Sequence, residues 1–215
     1  MNKKILLIGA GGHCKVVLDL LLSTKEYGVA GIIDIKGRLG DRILDVPVSG
    51  SDLDLPRFFK KGVRYCFITV GSVGDTRLRV KLYNLAKKSG FTFPNLISPH
   101  ALVSSYALLG EGNFIGPRVT INAGSQIGDN CILNTGAIVE HDCNIGDFVH
   151  LSPGSVLSGG VSIGSHSHIG TGSIVIQNVK IGERTVIGAG SVVTGDIRKG
   201  MVAYGNPCKE KKTNA

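Results

Sequence analysis

Residues 121–146 read INAGSQIGDNCILNTGAIVEHDCNIG. In that run an aliphatic side chain returns at every sixth position: Ile121, Ile127, Leu133, Val139, Ile145. Followed outward, the phase begins at Ile97 and ends at Val193, and Ile, Leu or Val fills all seventeen slots. Ile-Gly pairs keep the same register at Ile127-Gly128, Ile145-Gly146, Ile163-Gly164 and Ile181-Gly182. Four residues after each aliphatic slot the residue is usually small or β-branched, as at Ala101, Ser125, Cys143 and Ser191. Such a phase predicts a left-handed parallel β-helix of hexapeptide repeats, in which three hexads close one triangular coil. The slots would make just under six coils, with the aliphatic residue inward and the small residue easing each corner. Lys199 breaks the register, so the remainder reads as a cap over the open end of the solenoid.

Upstream the pattern is different. Lys4–Ile8, Val29–Asp34 and Arg64–Val70 read as strands, while Gly12–Leu22 and Thr76–Lys88 have helical spacing, the latter with Leu78, Leu82, Leu85 and Ala86 on one side. Strands alternating with helices imply a Rossmann-like α/β domain with a short parallel sheet. The expected organisation is an α/β domain at 1–94, a β-helix at 95–198 and a cap and tail at 199–215.

Composition narrows the function classes. The net charge of +8 favours anionic partners, but there are only 12 Phe and Tyr, no Trp and no dense basic stripe. Nucleic acid is therefore a poor fit, and small phosphorylated ligands such as CoA or a nucleotide sugar suit the excess. Five cysteines without paired spacing point to a reduced, cytoplasmic compartment. The apolar stretch Ile5–Ile8 is too short for a signal peptide, and no run is long enough to span a membrane.

The segment Asn134-Thr135-Gly136-Ala137-Ile138-Val139-Glu140-His141-Asp142-Cys143 carries the chemistry. Val139 takes the inward slot, so His141, two positions on, can face outward and take a proton at neutral pH. Acetyl transfer needs such a base, because the nucleophile sheds a proton as it attacks a thioester. Asp142 could hold the imidazole tautomer; a plain surface His-Asp pair is the competing reading. His150 falls half a coil later, on another side of the prism, so only neighbouring chains could bring it to His141. His166 and His168 read as solvated side chains. The spacing of these histidines does not match the zinc-binding pattern of solenoid carbonic anhydrases, so no metal is expected. Cys131 and Cys143 sit at inward small positions and read as core filler, which favours direct transfer over a covalent acyl-enzyme.

Gly9-Ala10-Gly11-Gly12-His13-Cys14 follows a strand and opens a helix, a loop that can cradle phosphates. Cys14 stands where a dinucleotide fingerprint needs glycine, which disfavours NAD. Asp34, ending the second strand, could bond a uracil, a guanine or a sugar group, and Gly71 would line the same crevice.

Together the G-A-G-G-H loop and the hexad repeats carrying N-T-G-A-x-V-E-H-D-C resemble the PglD/NeuD/PerB sugar acyltransferases, from about Lys4 to Lys209. The resemblance implies an acetyl-CoA-dependent N-acetyltransferase acting on a UDP- or GDP-linked 4-amino dideoxy sugar in surface polysaccharide biosynthesis. It implies a homotrimer with active sites between solenoids, His141 as base, Asp142 tuning it and Asn134 near the sugar or the base. His150, Gly159, Thr171 and Pro207 would face acetyl-CoA. Gly11, Gly12, His13, Asp34 and Gly71 would form the nucleotide-sugar pocket. Cys208 replaces the usual alanine of the family's G-x-P-A-K ending. Sialic acid O-acetylation and a non-catalytic scaffold are the alternatives. The nucleotide base and sugar stereochemistry are left open.

Overall fold

The computed structural model describes residues 3–214; the first two residues of the α/β domain and the last of the tail lie outside them. The chain forms two compact units. One runs to Gly71 and resumes at Arg77–Leu96; the other holds Ser72–Thr76 and everything from Ile97 onward.

In the first unit, β1 (Lys3–Ile8) is the central strand, and Ile5 to Ile8 are at most 2% exposed. It pairs in parallel with β2 (Tyr27–Ile33) on one side and β5 (Tyr65–Ile68) on the other. A strand covered on both faces and both edges has no use for alternation, hence the unbroken run KILLI. Between β1 and β2, α1 (Gly12–Thr24) buries Cys14, Val17, Leu18 and Leu21, one stripe at three- and four-residue steps. A short antiparallel pair, β3 (Arg42–Ile43) and β4 (Val46–Gly50), extends the sheet to the order β3-β4-β2-β1-β5. Helix α2 (Leu55–Lys60) follows it. The sequence did not announce β3, β4 or α2, because two to six residues are too few to establish a period.

Helix α3 (Arg77–Lys88) corrects one expectation. Leu82 and Ala86 are buried, but Leu78 is 53% exposed. The buried side chain in that turn is Arg79, whose guanidinium donates to the carbonyls of Ile68 and Val70. Those carbonyls lie at and just beyond the end of β5, where the ladder stops and a buried oxygen needs a donor.

The second unit is the parallel β-helix. Its strands are two residues long and pair with the strand 18 residues on, as in Ile132↔His150↔His168. The inward partners stack in the same way, Leu133 on Leu151 on Ile169, all 0% exposed. The inward slots are sealed from Ile115 onward, while Ile97 at the open first coil is 39% exposed.

Corners follow their own rule. Every sixth residue from Gly112 to Gly190 has a left-handed backbone, including Arg118, Asn130, Asp142 and His166. The small residue that follows each of them is often serine for a hydrogen-bonding reason. Ser167 donates to Gly182 O and accepts from Thr185 N–H; Ser173 does the same with Gly188 O and Ser191 N–H. Each hydroxyl thus joins one coil to the next where the strand ladder is interrupted.

The tail closes the far end as a hairpin of Met201–Gly205 and Cys208–Thr213. Its first strand pairs with Val186–Ile187 and puts Ala203 into the core, and its second strand adds Cys208. Among the described residues no helix is long and apolar enough to cross a membrane.

Truncating a sealed inward slot removes contacts that rigid coils cannot restore. Leu151→Ala is expected to lower unfolding free energy by about 2–5 kcal/mol in urea denaturation. Ile97→Ala, at the open coil, should lose well under half as much.

Candidate active site

The strand Ile138–Val139 turns its inward residue, Val139, into the core and then meets a corner at Glu140-His141-Asp142. Asp142 occupies the left-handed position, with φ 60°. A non-glycine residue there ordinarily costs about 1–2 kcal/mol. Because the same conformation recurs at every corner, it belongs to the coil and is not strain peculiar to this turn.

Neighbouring coils hold the turn from both ends. The buried Ser125 hydroxyl donates to Glu140 O at 2.7 Å and accepts from Cys143 N–H at 3.1 Å. These are the backbone groups just before His141 and just after Asp142. Asp142 N–H donates to Ala123 O at 3.1 Å, and Asn122 Nδ2 donates to the Glu140 carboxylate at 2.8 Å. The sequence offered Ser125 only as a small corner residue; its offset of 18 from Cys143 was the signal for this role.

On this platform His141 Nδ1 lies 2.9 Å from Asp142 Oδ2, and the two side chains are 65% and 72% exposed. Donation from Nδ1 to the carboxylate fixes the tautomer and leaves a lone pair on Nε2. Two glycines, each one coil away, make room for the pair. A Cβ on Gly124 would run into the Asp142 carboxylate. A Cβ on Gly159 would sit 2.6 Å from both Cε1 and Nε2 of His141 and 3.2 Å from Cδ2. An approach in the ring plane would leave Cδ2 much farther away, so Gly159 lies against the face of the imidazole and the Nε2 edge stays open. Gly160 N–H donates to His141 O at 2.9 Å, which keeps the two coils in step.

The other expected positions on the solenoid lie apart from this turn in one chain. Asn134 follows the strand Ile132–Leu133, on the preceding corner, and its Oδ1 accepts from Thr135 N–H at 2.9 Å. Thr171 is an exposed corner residue and Pro207 an exposed residue of the final hairpin turn. His150 is half-buried, and its Nδ1 donates to Ser72 O at 2.7 Å.

His166 and His168 are not solvated as expected. The segment Ser72–Thr76 lies over this side of the solenoid: Thr76 Oγ1 bonds His166 Nδ1 at 3.0 Å, and Asn214 Nδ2 donates to Gly74 O. His168 is 8% exposed, stands edge-on to His150 at 4.9 Å, and bonds Ser152 Oγ through Nε2. Burial, with the neighbouring His150, lowers the His168 pKa to about 4, so the ring is neutral. No hexad rule foresees a segment from the other end of the sequence covering this side.

The thiol at Cys143 is buried in the core, and burial pushes its pKa up. A thiol that resists ionisation is a poor nucleophile. Among the described residues no group of three His, Cys, Asp or Glu side chains could hold a metal ion.

In the first unit, Gly9, Asp34 and Gly71 follow the carboxyl ends of β1, β2 and β5. Gly9 has φ 112°, and a Cβ there would collide with Val70, so glycine is required. Gly11 and Gly12 open α1 with no side-chain cap, and a Cβ on either would meet nothing. His13 is half-buried in the first turn. The uncapped N–H groups and helix dipole there suit an anion. Both Asp34 oxygens are engaged: Oδ2 accepts from Ala10 N–H and Oδ1 from Ile35 N–H. Arg38, which the sequence did not single out, pairs with Asp34 and donates to Ala10 O at 2.7 Å. Asp34 and Arg38 thus clamp the glycine loop from beneath.

Residues 4–86 match the PglD N-terminal domain, and residues 106–141, 124–159 and 160–195 match the bacterial transferase hexapeptide (six repeats). No match is found among curated proteins. A histidine-to-asparagine mutant of perosamine N-acetyltransferase from Caulobacter crescentus, in complex with CoA and GDP-perosamine, is 44% identical, with 97% of each chain covered and a TM-score of 0.91. The acetyltransferase domain of PglB from Neisseria gonorrhoeae, in complex with acetyl coenzyme A, is 38% identical, covers 98% of this chain and 100% of that one, and has a TM-score of 0.88. The chain belongs to the PglD/NeuD/PerB family of sugar acyltransferases. Chemically, the exposed His-Asp turn is able to move a proton, and the uncapped N–H groups of the glycine loop are able to meet an anion.

Two outcomes follow from this geometry. Gly159 lacks a left-handed φ, so Gly159→Ala strains only the contact with the ring. The acyl-transfer kcat should fall about 100-fold in steady-state assays, with the unfolding midpoint nearly unchanged. His168 is uncharged in the folded chain down to about pH 4, whereas an unfolded histidine takes its proton near pH 6.5. Acid in that window therefore favours unfolding, by up to about 1.4 kcal/mol per pH unit. His168→Gln should flatten the fall in urea midpoint between pH 6.5 and 4.

Proposed function

We propose that the chain transfers the acetyl group of acetyl-CoA to the amino group of a nucleotide-linked 4-amino dideoxy sugar, with His141 as general base. The observation that carries this reading is the open Nε2 edge of His141, set by Asp142 on one side and Gly159 on its face. The relatives bound to CoA and GDP-perosamine, or to acetyl coenzyme A, support the pair of substrates.

The acceptor amine attacks the thioester carbonyl carbon, and its N–H proton passes to Nε2. The carbon–nitrogen bond forms, and the tetrahedral intermediate collapses with cleavage of the carbon–sulfur bond. The imidazolium then returns the proton to the departing CoA sulfur. Asp142 stabilises the imidazolium between these transfers.

Gly11, Gly12 and His13 at the helix start would hold the acceptor's diphosphate, with Asp34 keeping the loop in place and Gly71 beside it. His150, Thr171 and Pro207 would line acetyl-CoA, with Gly159 beneath the thioester. His141 stands on a different corner from Asn134 and Thr171, which supports a homotrimer in which a neighbouring chain completes each site. The reaction belongs in the cytoplasm, where both substrates are made, as a step towards surface polysaccharide.

Thiol release from acetyl-CoA against UDP- and GDP-amino sugars and sialic acids tests the reading. An amino sugar should be the best acceptor. His141→Ala should lower kcat by about 10²- to 10⁴-fold. Release at the wild-type rate from that variant would remove His141 from the mechanism.

A further inference from the structure

The first unit contains a cleft of about 170 Å³ beside Gly9. Ligand pockets usually measure about 300–1,000 Å³. This one holds a single ring system, not a whole nucleotide sugar. Its walls include Ile33, Ile35, Val70 and Leu82, and three charged side chains reach it: Asp34, Asp52 and Lys81.

The two carboxylates differ. Asp34 already accepts two backbone N–H groups and pairs with Arg38. Asp52 opens the short turn Asp52–Asp54 and is half-buried, and its carboxylate has no hydrogen bond or ion pair among the described residues. Its neighbour Asp54 is occupied, capping Ser51 and pairing with Arg57. A partly desolvated carboxylate facing apolar walls is unfavourable until donors reach it.

We infer that Asp52 is a specificity-determining residue that selects guanine as the base of the acceptor nucleotide. The inference rests on the reading of the acceptor as a nucleotide-linked sugar. A carboxylate presents two acceptors side by side. Guanine alone among the common bases presents two adjacent donors, N1–H and the N2 amino group. Uracil offers one N–H flanked by two carbonyl oxygens, which a carboxylate repels. Cytosine and adenine each put a lone pair beside their amino group. Lys81 supplies the complementary donor, since guanine O6 and N7 are acceptors that lysine commonly meets.

Calorimetric titration of the full chain with GDP, inosine diphosphate and UDP, without sugar or acetyl-CoA, tests this. GDP should bind about 10- to 100-fold more tightly than UDP, with inosine diphosphate between them because it lacks the amino group. In Asp52→Asn an amide replaces one acceptor by a donor, so GDP should weaken at least tenfold and the preference should collapse. Equal affinity of the wild type for the three nucleotides, or no binding of any, overturns the inference without requiring a variant to fold. So does an Asp52→Asn protein that keeps the GDP preference. A GDP preference with no thiol release from any GDP-amino sugar would uphold Asp52 and remove the amino-sugar acceptor alone.

Discussion

Each inward aliphatic side chain of the solenoid rests on its counterpart 18 residues away, and that contact fixes almost everything else. Strands of two residues make too few hydrogen bonds to hold a register alone. The stack of Leu133, Leu151 and Ile169 supplies it, because slipping by one residue would turn the whole aliphatic column outward. Once the coil length is set, residues 18 apart become neighbours along the axis. Corner hydroxyls then find the same backbone partners coil after coil.

The active turn inherits its precision from that constraint. His141 and Asp142 are exposed, and exposed side chains of their kind are normally mobile. Here the backbone on either side is tied to one buried hydroxyl, Ser125, and glycines one coil before and after leave room for the two side chains. The left-handed corner, a costly conformation elsewhere, comes with the coil. A base can therefore face solvent without losing its orientation. The buried Cys143 beside it is held as a neutral thiol and lends packing only.

In the α/β unit the deciding contrast is between two carboxylates on one cleft. Asp34 is committed to the glycine loop and Arg38, and so holds the shape of that loop. Asp52 is uncommitted, and an uncommitted, half-buried charge is where a ligand's donors have most effect. Sequence position suggested Asp34, at the end of a strand, as the residue to meet the base. Hydrogen-bond accounting leaves the Asp52 carboxylate, and not that of Asp34, open to new donors.

The sequence alone determined the solenoid, its coil length and its outward His-Asp pair, because each follows from a period that one-dimensional spacing preserves. It likewise determined the strand–loop–helix start at Gly9–His13. Gly124 and Gly159 were legible in principle, as glycines one coil from Asp142 and His141. The tertiary structure decided what spacing does not encode. Segment Ser72–Thr76 covers His150, His166 and His168, Arg79 takes the place expected of Leu78 in the core, and Asp34 is tied to the glycine loop and Arg38. Those outcomes turn on which donor reaches which acceptor across tens of residues of chain, and such pairings leave no periodic trace.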